Sequence, residues 1–182
     1  PADIKTILYI GRLETRKGVE YLIKAYDELR VTHRDVQLVI AGSGVKKRTL
    51  EKLVEQYEIP DVTFLGFVTE EEKLKLLQHA DVYCSPALYG ESFGIVLLEA
   101  MATGTPIVAG NNSGYSSVMS GRGRLSLVNP KQTEDFAQRL ELMLYDEKLR
   151  ALWNEWARQE VDKYGFERVA QAYEATYKTA IS

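Results

Sequence analysis

Six short runs rich in β-branched and aromatic residues, most of them apolar at consecutive positions, limit what this chain can fold into. They lie at residues 6–10, 36–40, 62–64, 81–84, 106–109 and 124–128. A strand with one face in water alternates polar and apolar residues. A strand that does not alternate needs cover on both faces, the environment of a parallel sheet between two layers of helices. The intervening segments supply that cover. Val19, Leu22, Ile23, Tyr26 and Leu29 fall at helical spacing, as do Leu50, Leu53, Val54 and Tyr57. Thr69 with Glu72 predicts a capping box ahead of Leu74, Leu76 and Leu77. Residues 93–103 are nearly all apolar and are expected to lie deep in the fold. After Asn129-Pro130 the pattern is helical only, over 132–145, 146–164 and 166–181. With no internal repeat or linker, residues 1–182 read as one Rossmann-like α/β domain, a doubly wound parallel sheet whose last part, about 132–182, is a helical tail.

Composition removes several classes of function. The chain has 45% hydrophobic and 27% charged residues, which argues against disorder. A net charge of -3 argues against a nucleic-acid partner bound by broad phosphate neutralisation. The single cysteine, Cys84, allows neither an intrachain disulfide nor a zinc cluster, so a reducing cytoplasmic setting fits. No apolar run approaches the roughly 20 residues of a membrane span. The chain starts Pro1-Ala2-Asp3 without a methionine, and the expectation is a piece of a longer protein.

Eight of the thirteen glycines (Gly11, Gly42, Gly44, Gly66, Gly90, Gly94, Gly110, Gly114) follow a predicted strand. Open α/β sheets bind ligands at that carboxyl edge, and residues without Cβ allow a ligand close to the backbone. Turn geometry alone is the competing explanation for any one of them.

Two loops on that edge carry the chemistry. The first, Gly11-Arg12-Leu13-Glu14-Thr15-Arg16-Lys17-Gly18, places cations between a strand end and a helix start, where free N–H groups already favour an anion. Arg12 and Lys17 are the candidates, against solvated surface charge; Arg16 is expected to be surface only. The second is Gly90-Glu91-Ser92-Phe93-Gly94, running into Ile95-Val96-Leu97-Leu98-Glu99. Glu99 stands inside an apolar run, where an ionised carboxylate needs a partner, and Glu91 stands just before a helix start. From Gly94 to Glu99 a helix rises about 7.5 Å. The two carboxylates could therefore grip different ends of an elongated ligand, with the N–H groups of Phe93, Gly94 and Ile95 between them for phosphate. A helix cap at Glu91 and an internal ion pair at Glu99 are the structural alternatives. In strand order 3-2-1-4-5-6 the crevice opens between strands one and four, which deliver these two loops. A diphosphate flanked by hydroxylated groups, that is a sugar nucleotide, matches the arrangement. Without an Asp-x-Asp motif, Arg12 and Lys17 would do the work of a metal, so no metal or other cofactor is expected.

These residues resemble a known family. The loop Gly11, Arg12, Lys17, Gly18 and the glutamates eight apart in Gly90-Glu91-Ser92-Phe93-Gly94 to Glu99-Ala100 are similar to the donor-binding C-terminal half of retaining glycosyltransferases of family 4, which have the GT-B fold. Ala80-Asp81-Val82-Tyr83-Cys84-Ser85-Pro86 and Met101-Ala102-Thr103-Gly104-Thr105-Pro106 extend the likeness. The stretch 80–101 looks closest to the phosphatidyl-myo-inositol mannosyltransferase branch. The resemblance implies catalytic roles for Arg12, Lys17 and Glu91: the cations hold the diphosphate and Glu91 binds donor-sugar hydroxyls. Glu99 would bind the ribose, backbone near Val68 would face the base with Lys73 close by, and Phe93, Gly94, Ile95 and Val96 would complete the donor contacts. It implies a hexosyl transfer, with mannose the favoured hexose, from a GDP- or UDP-sugar with retention. It also implies an N-terminal acceptor domain absent from this chain, and room for peripheral membrane association of the full-length protein. The isolated half is then expected to bind donor weakly and not to transfer. Ser117 departs from the family, many of whose members have glutamate there.

Other readings fit less well. Gly42-Ser43-Gly44 hints at a dinucleotide fold, but Lys47 replaces the third glycine and the triplet follows the wrong strand. A glycoside hydrolase would not place one carboxylate in an apolar helix. A GT-B-type sugar-nucleotide epimerase, or a non-catalytic nucleotide-sugar module, would share the cradle. His33 and His79 fall near predicted helix ends and are expected to be surface or capping groups.

Overall fold

The strand β1 (Lys5–Ile10) lies at the middle of a six-stranded sheet, paired in parallel with β2 (Val36–Ala41) on one side and β4 (Val82–Ser85) on the other. β3 (Val62–Gly66), β5 (Ile107–Gly110) and β6 (Leu127–Val128) complete the order β3-β2-β1-β4-β5-β6. The computed structural model describes residues 3–165. Burial follows position in the sheet. Ile7, Leu8 and Tyr9 are buried in succession, and every residue of β4 and β5 is buried, whereas the edge strand β3 alternates between half-buried and exposed.

The chain builds outward from β1 to β3 and then returns past β1 to begin β4. Right-handed crossovers put α1 (Val19–Arg30) and α2 (Lys47–Gln56) on one face, and α3 (Glu70–His79) and α4 (Ile95–Ala102) on the other. After β5 come the short α5 (Ser113–Val118), α6 (Thr133–Tyr145) and α7 (Glu147–Lys163); α6 packs on α1 and α7 on α4. α1 buries Val19, Leu22, Ile23, Tyr26 and Leu29, the face its periodicity predicts. α4 departs from expectation in its first turn: Leu97, Leu98, Ala100 and Met101 are buried, but Ile95 is 68% exposed. That turn lies at the carboxyl edge of the sheet, where no helix among the described residues covers Ile95.

At the start of α3 the capping box forms as predicted. The Glu72 amide donates to Thr69 Oγ1 at 3.2 Å, and the Thr69 amide donates to Glu72 Oε2 at 2.7 Å. Thr69→Ala leaves the Glu72 amide without its acceptor and is expected to cost about 1 kcal/mol, seen as a lower urea midpoint with unchanged slope.

The sixth strand is shorter than predicted. Residues Gly121–Ser126 form 3₁₀ turns and only Leu127–Val128 pair with β5. The cause lies in α7. Trp153 is fully buried and its Nε1 donates to Ser126 Oγ at 2.7 Å, while a Cβ on Gly123 would come within 2.2 Å of the Trp156 ring. The two indoles hold this segment in a tight turn that an extended strand would not fit.

Both histidines sit at helix ends. His79 closes α3 with its Nδ1 2.7 Å from the Lys75 carbonyl, and His33, just past α1, stacks on Tyr145 and pairs with Glu141 at 2.8 Å. Cys84 is buried in β4, and burial pushes its thiol pKa well up, so it is an inert core residue. Among the described residues no helix is long and apolar enough to cross a membrane. The predicted last helix, with its stripe Phe166, Val169, Ala170, Tyr173 and Tyr177, falls outside the described residues.

Candidate functional site

At the switch point between β1 and β4 the two charged loops meet. Thr15–Lys17 make one 3₁₀ turn that ends on Gly18 in the left-handed region, φ 68°. A Cβ there would stand 2.2 Å from the Pro86 carbonyl oxygen, and the Leu88 amide donates to the Arg16 carbonyl at 2.8 Å. The first loop is thereby fastened to the segment leaving β4. The turn presents two adjacent cations to one carboxylate. Glu91 Oε1 accepts from Lys17 Nζ and from Arg16 Nη1, the latter at 3.1 Å. Arg16 reaches further, to the Gly90 carbonyl at 3.2 Å and to Glu14 at 3.2 Å, and the other oxygen of Glu14 pairs with Arg12 at 3.1 Å. The result is a charge chain Arg12–Glu14–Arg16–Glu91–Lys17.

Within that chain, exposure separates two kinds of cation. The Arg12 side chain is 71% exposed, against 23% for Arg16 and 17% for Lys17. Arg12 is open to an incoming anion. Arg16 is not the surface residue the sequence suggested: its side chain is mostly buried against Glu14, Gly90 and Glu91. Its neighbour Lys17 stands out by its motif, whereas the partner of Arg16 lies 75 positions away, a pairing with no local signal.

The glycines act differently from expectation. A Cβ on Gly42 would fall 1.8 Å from the Gly11 carbonyl oxygen, and one on Gly114 would fall 2.0 Å from that of Glu91. At these positions the missing side chain admits the backbone of a neighbouring loop rather than a ligand. Of the eight glycines that follow strands, only Gly66, with nothing within 4 Å of its Cβ position, keeps open space above it. It leads into Val68, which is half-buried beside a depression of about 320 Å³ lined also by Leu65, Phe67 and Leu76.

The start of α4 is open. Gly94 is the left-handed N-cap, φ 79°, seated over the Tyr115 ring, and Phe93 lies before the helix against Tyr164. The amides of Phe93, Gly94, Ile95 and Val96 donate to no carbonyl among the described residues, the free donors that a helix start offers. One turn further on, Glu99 pairs with Lys73 of α3 at 3.0 Å, both side chains mostly buried. Burial raises the carboxyl pKa of Glu99, and the Lys73 ammonium offsets part of the rise. Burial works against the charge of Lys73, but its bonds to Glu70 and Glu99 prevail and hold its pKa up. Nearby, Ser117 folds back on the Gly114 carbonyl at 2.7 Å.

Beneath both loops is a floor of buried phenols. Tyr9 donates to the Arg12 carbonyl at 2.7 Å, Tyr83 to the Ile10 carbonyl at 3.2 Å, and Tyr115 shares a 2.7 Å hydrogen bond with Ser85. Burial pushes Tyr115 up to about 12 and raises Tyr9 and Tyr83 as well, so all three stay neutral. The floor holds the loop backbones and adds no charge.

The model of the family described as glycosyl transferases group 1 matches residues 1–160. The chain belongs to this family. An uncharacterized glycosyltransferase of Methanocaldococcus jannaschii is 38% identical over 98% of this chain and 46% of that protein. The phosphatidyl-myo-inositol mannosyltransferase of Mycolicibacterium smegmatis is 34% identical over 98% of this chain and 46% of its own length. Sucrose-phosphate synthase of Thermosynechococcus elongatus superposes with a TM-score of 0.80 at 29% identity, over the whole of this chain and 46% of that one. The group 1 domain described here thus spans about half the length of the curated relatives it matches, and its parallel sheet is that of the C-terminal domain of GT-B glycosyltransferases.

Proposed function

We propose that this group 1 domain is the donor-binding half of a retaining glycosyltransferase that moves a hexosyl group from a nucleoside diphosphate sugar to an acceptor held by a second domain. The observation that supports it most directly is the meeting of Lys17 and Arg16 with Glu91 across the β1–β4 crevice. That meeting supports a reading in which a cationic edge and a carboxylate able to accept from sugar hydroxyls act on one ligand. The diphosphate would lie between Arg12, Lys17 and the free amides at residues 93–96, the hexose against Glu91, the ribose against Glu99, and the base by the loop at Val68. In the transfer, the bond from anomeric carbon to phosphate oxygen breaks and its electron pair stays on the diphosphate. Arg12 and Lys17 stabilise that charge without a metal. The acceptor hydroxyl attacks from the same face and its proton passes to the departing phosphate oxygen. The likeness to phosphatidyl-myo-inositol mannosyltransferases favours GDP-mannose as donor and a lipid-linked acceptor at the cytoplasmic face of a membrane.

Calorimetric titration with GDP-mannose, UDP-glucose, GDP, UDP and NAD tests this. Binding of a nucleotide sugar, weak in the absence of a second domain, is the expected result. A preference for NAD would overturn the transferase reading. Sugar transfer by this chain alone would refute the need for a second domain.

A further inference from the structure

We infer that Arg16 is a positioning residue that keeps the Glu91 carboxylate facing the donor sugar once Lys17 turns to the diphosphate. The inference rests on the donor-binding reading above and concerns a residue whose side chain needs no contact with donor.

Glu91 receives both cations on a single oxygen, Oε1, and its Oε2 has no partner among the described residues. That geometry leaves Oε2 to accept from sugar hydroxyls. The two cations differ in how firmly they are held. Lys17 carries a point charge on a flexible stem, and Glu91 is its one ion-pair partner among the described residues. An arriving diphosphate carries more negative charge than a carboxylate and competes for that ammonium directly. Arg16 is anchored at three points: its Nε on Glu14, and its Nη1 on both the Gly90 carbonyl and Glu91. Gly90 has φ 78°, and a Cβ there would lie 3.2 Å from Arg16 Nη1, so the loop backbone closes around the guanidinium. The planar fork cannot follow the phosphate without releasing Glu14 and Gly90 together. When Lys17 leaves, Arg16 therefore remains as the partner of a carboxylate whose side chain is only 14% exposed. Without it, Glu91 would be left unpaired and half-buried at the moment the hexose needs it.

The test compares two affinities in one protein. For the wild-type chain and Arg16→Ala, dissociation constants are measured for GDP and GDP-mannose, and for UDP and UDP-glucose. The expected result is about tenfold weaker nucleotide-sugar binding in the variant, with nucleoside diphosphate binding changed less than twofold. Equal weakening of both ligands, or of neither, overturns the inference. In a Glu91→Gln background the same Arg16→Ala change is expected to add less than twofold, because its effect runs through Glu91; an additive tenfold loss also overturns it. Should Arg16→Ala not fold, Arg16→Lys keeps the charge but not the fork. The same selective loss is expected there, and an unfolded Arg16→Lys would make the residue structural and reject the inference. A wild-type chain that binds neither nucleotide nor nucleotide sugar instead rejects the donor-binding reading itself.

Discussion

Gly42→Ala is expected to destabilise the domain by about 3 kcal/mol or more and to weaken nucleotide binding with it. Two costs combine at this residue. Its φ of 138° is a conformation that side chains rarely adopt, and its Cβ would stand 1.8 Å from the Gly11 carbonyl oxygen. Backbone cannot rotate away as a side-chain tip can, so the β2 loop must retreat. With it go the bonds from the Leu13 amide to the Ser43 carbonyl (2.9 Å) and from the Lys46 amide to the Leu13 carbonyl (2.9 Å), which set the first loop in place. Gly104→Ala separates the two costs: φ there is 74°, but nothing lies within 4 Å of its Cβ position. That variant is expected to lose about 1 kcal/mol. Urea unfolding of both measures the difference. Equal losses in the two would show that contact with Gly11 does not matter.

Glu99→Ala is expected to weaken nucleotide binding about 10- to 100-fold, the range for hydrogen bonds to a charged acceptor, with GDP and GDP-mannose affected alike. Affinity within threefold of wild type would remove Glu99 from the ribose. The raised carboxyl pKa adds a pH signature. Ribose hydroxyls donate to the ionised form, so affinity is full above the folded pKa and falls as pH drops through it. The fall begins at a higher pH than for an ordinary glutamate of about 4.3. Stability runs the other way. The folded state takes up the Glu99 proton more readily than the unfolded chain, so this residue's contribution is fully present below the ordinary value and declines as pH rises to the folded value. Opposite trends in binding and stability over the same pH window identify Glu99, and Glu99→Gln is expected to flatten both.

How much of this was legible in the chain depends on the reach of each interaction. The central strands appear where consecutive apolar residues require them, because cover on two faces leaves a trace in every residue, and the edge strand β3 keeps only an alternating version of it. Thr69 and Glu72 are three residues apart, and their capping box is written within one turn. Lys17, Glu91 and Glu99 stand out by motif or by incongruity, a charge beside a glycine or inside an apolar helix. Arg16 offered no such contrast, since its partners Gly90 and Glu91 are distant in sequence and its neighbours are charged as well. The shortened β6 was illegible for a related reason: Arg124 and Leu125 have strand-like neighbours, and only Trp153 and Trp156 of α7 force the turn. The glycines were legible as a group but misread in part, because composition cannot tell whether a missing Cβ makes room for a ligand or for another loop.

The place of β4 in the chain order sets when the site can exist. Residues 5–66 contain β1, β2 and β3, enough to pair half of the sheet as they leave the ribosome, and the Gly42 loop can already seat the first loop. The Glu91 that neutralises Lys17 and Arg16 emerges more than seventy residues later. Until β4 docks on the bare side of β1, Lys17 lacks its carboxylate and Glu14 alone offsets Arg12 and Arg16, beside an open strand edge that favours aggregation.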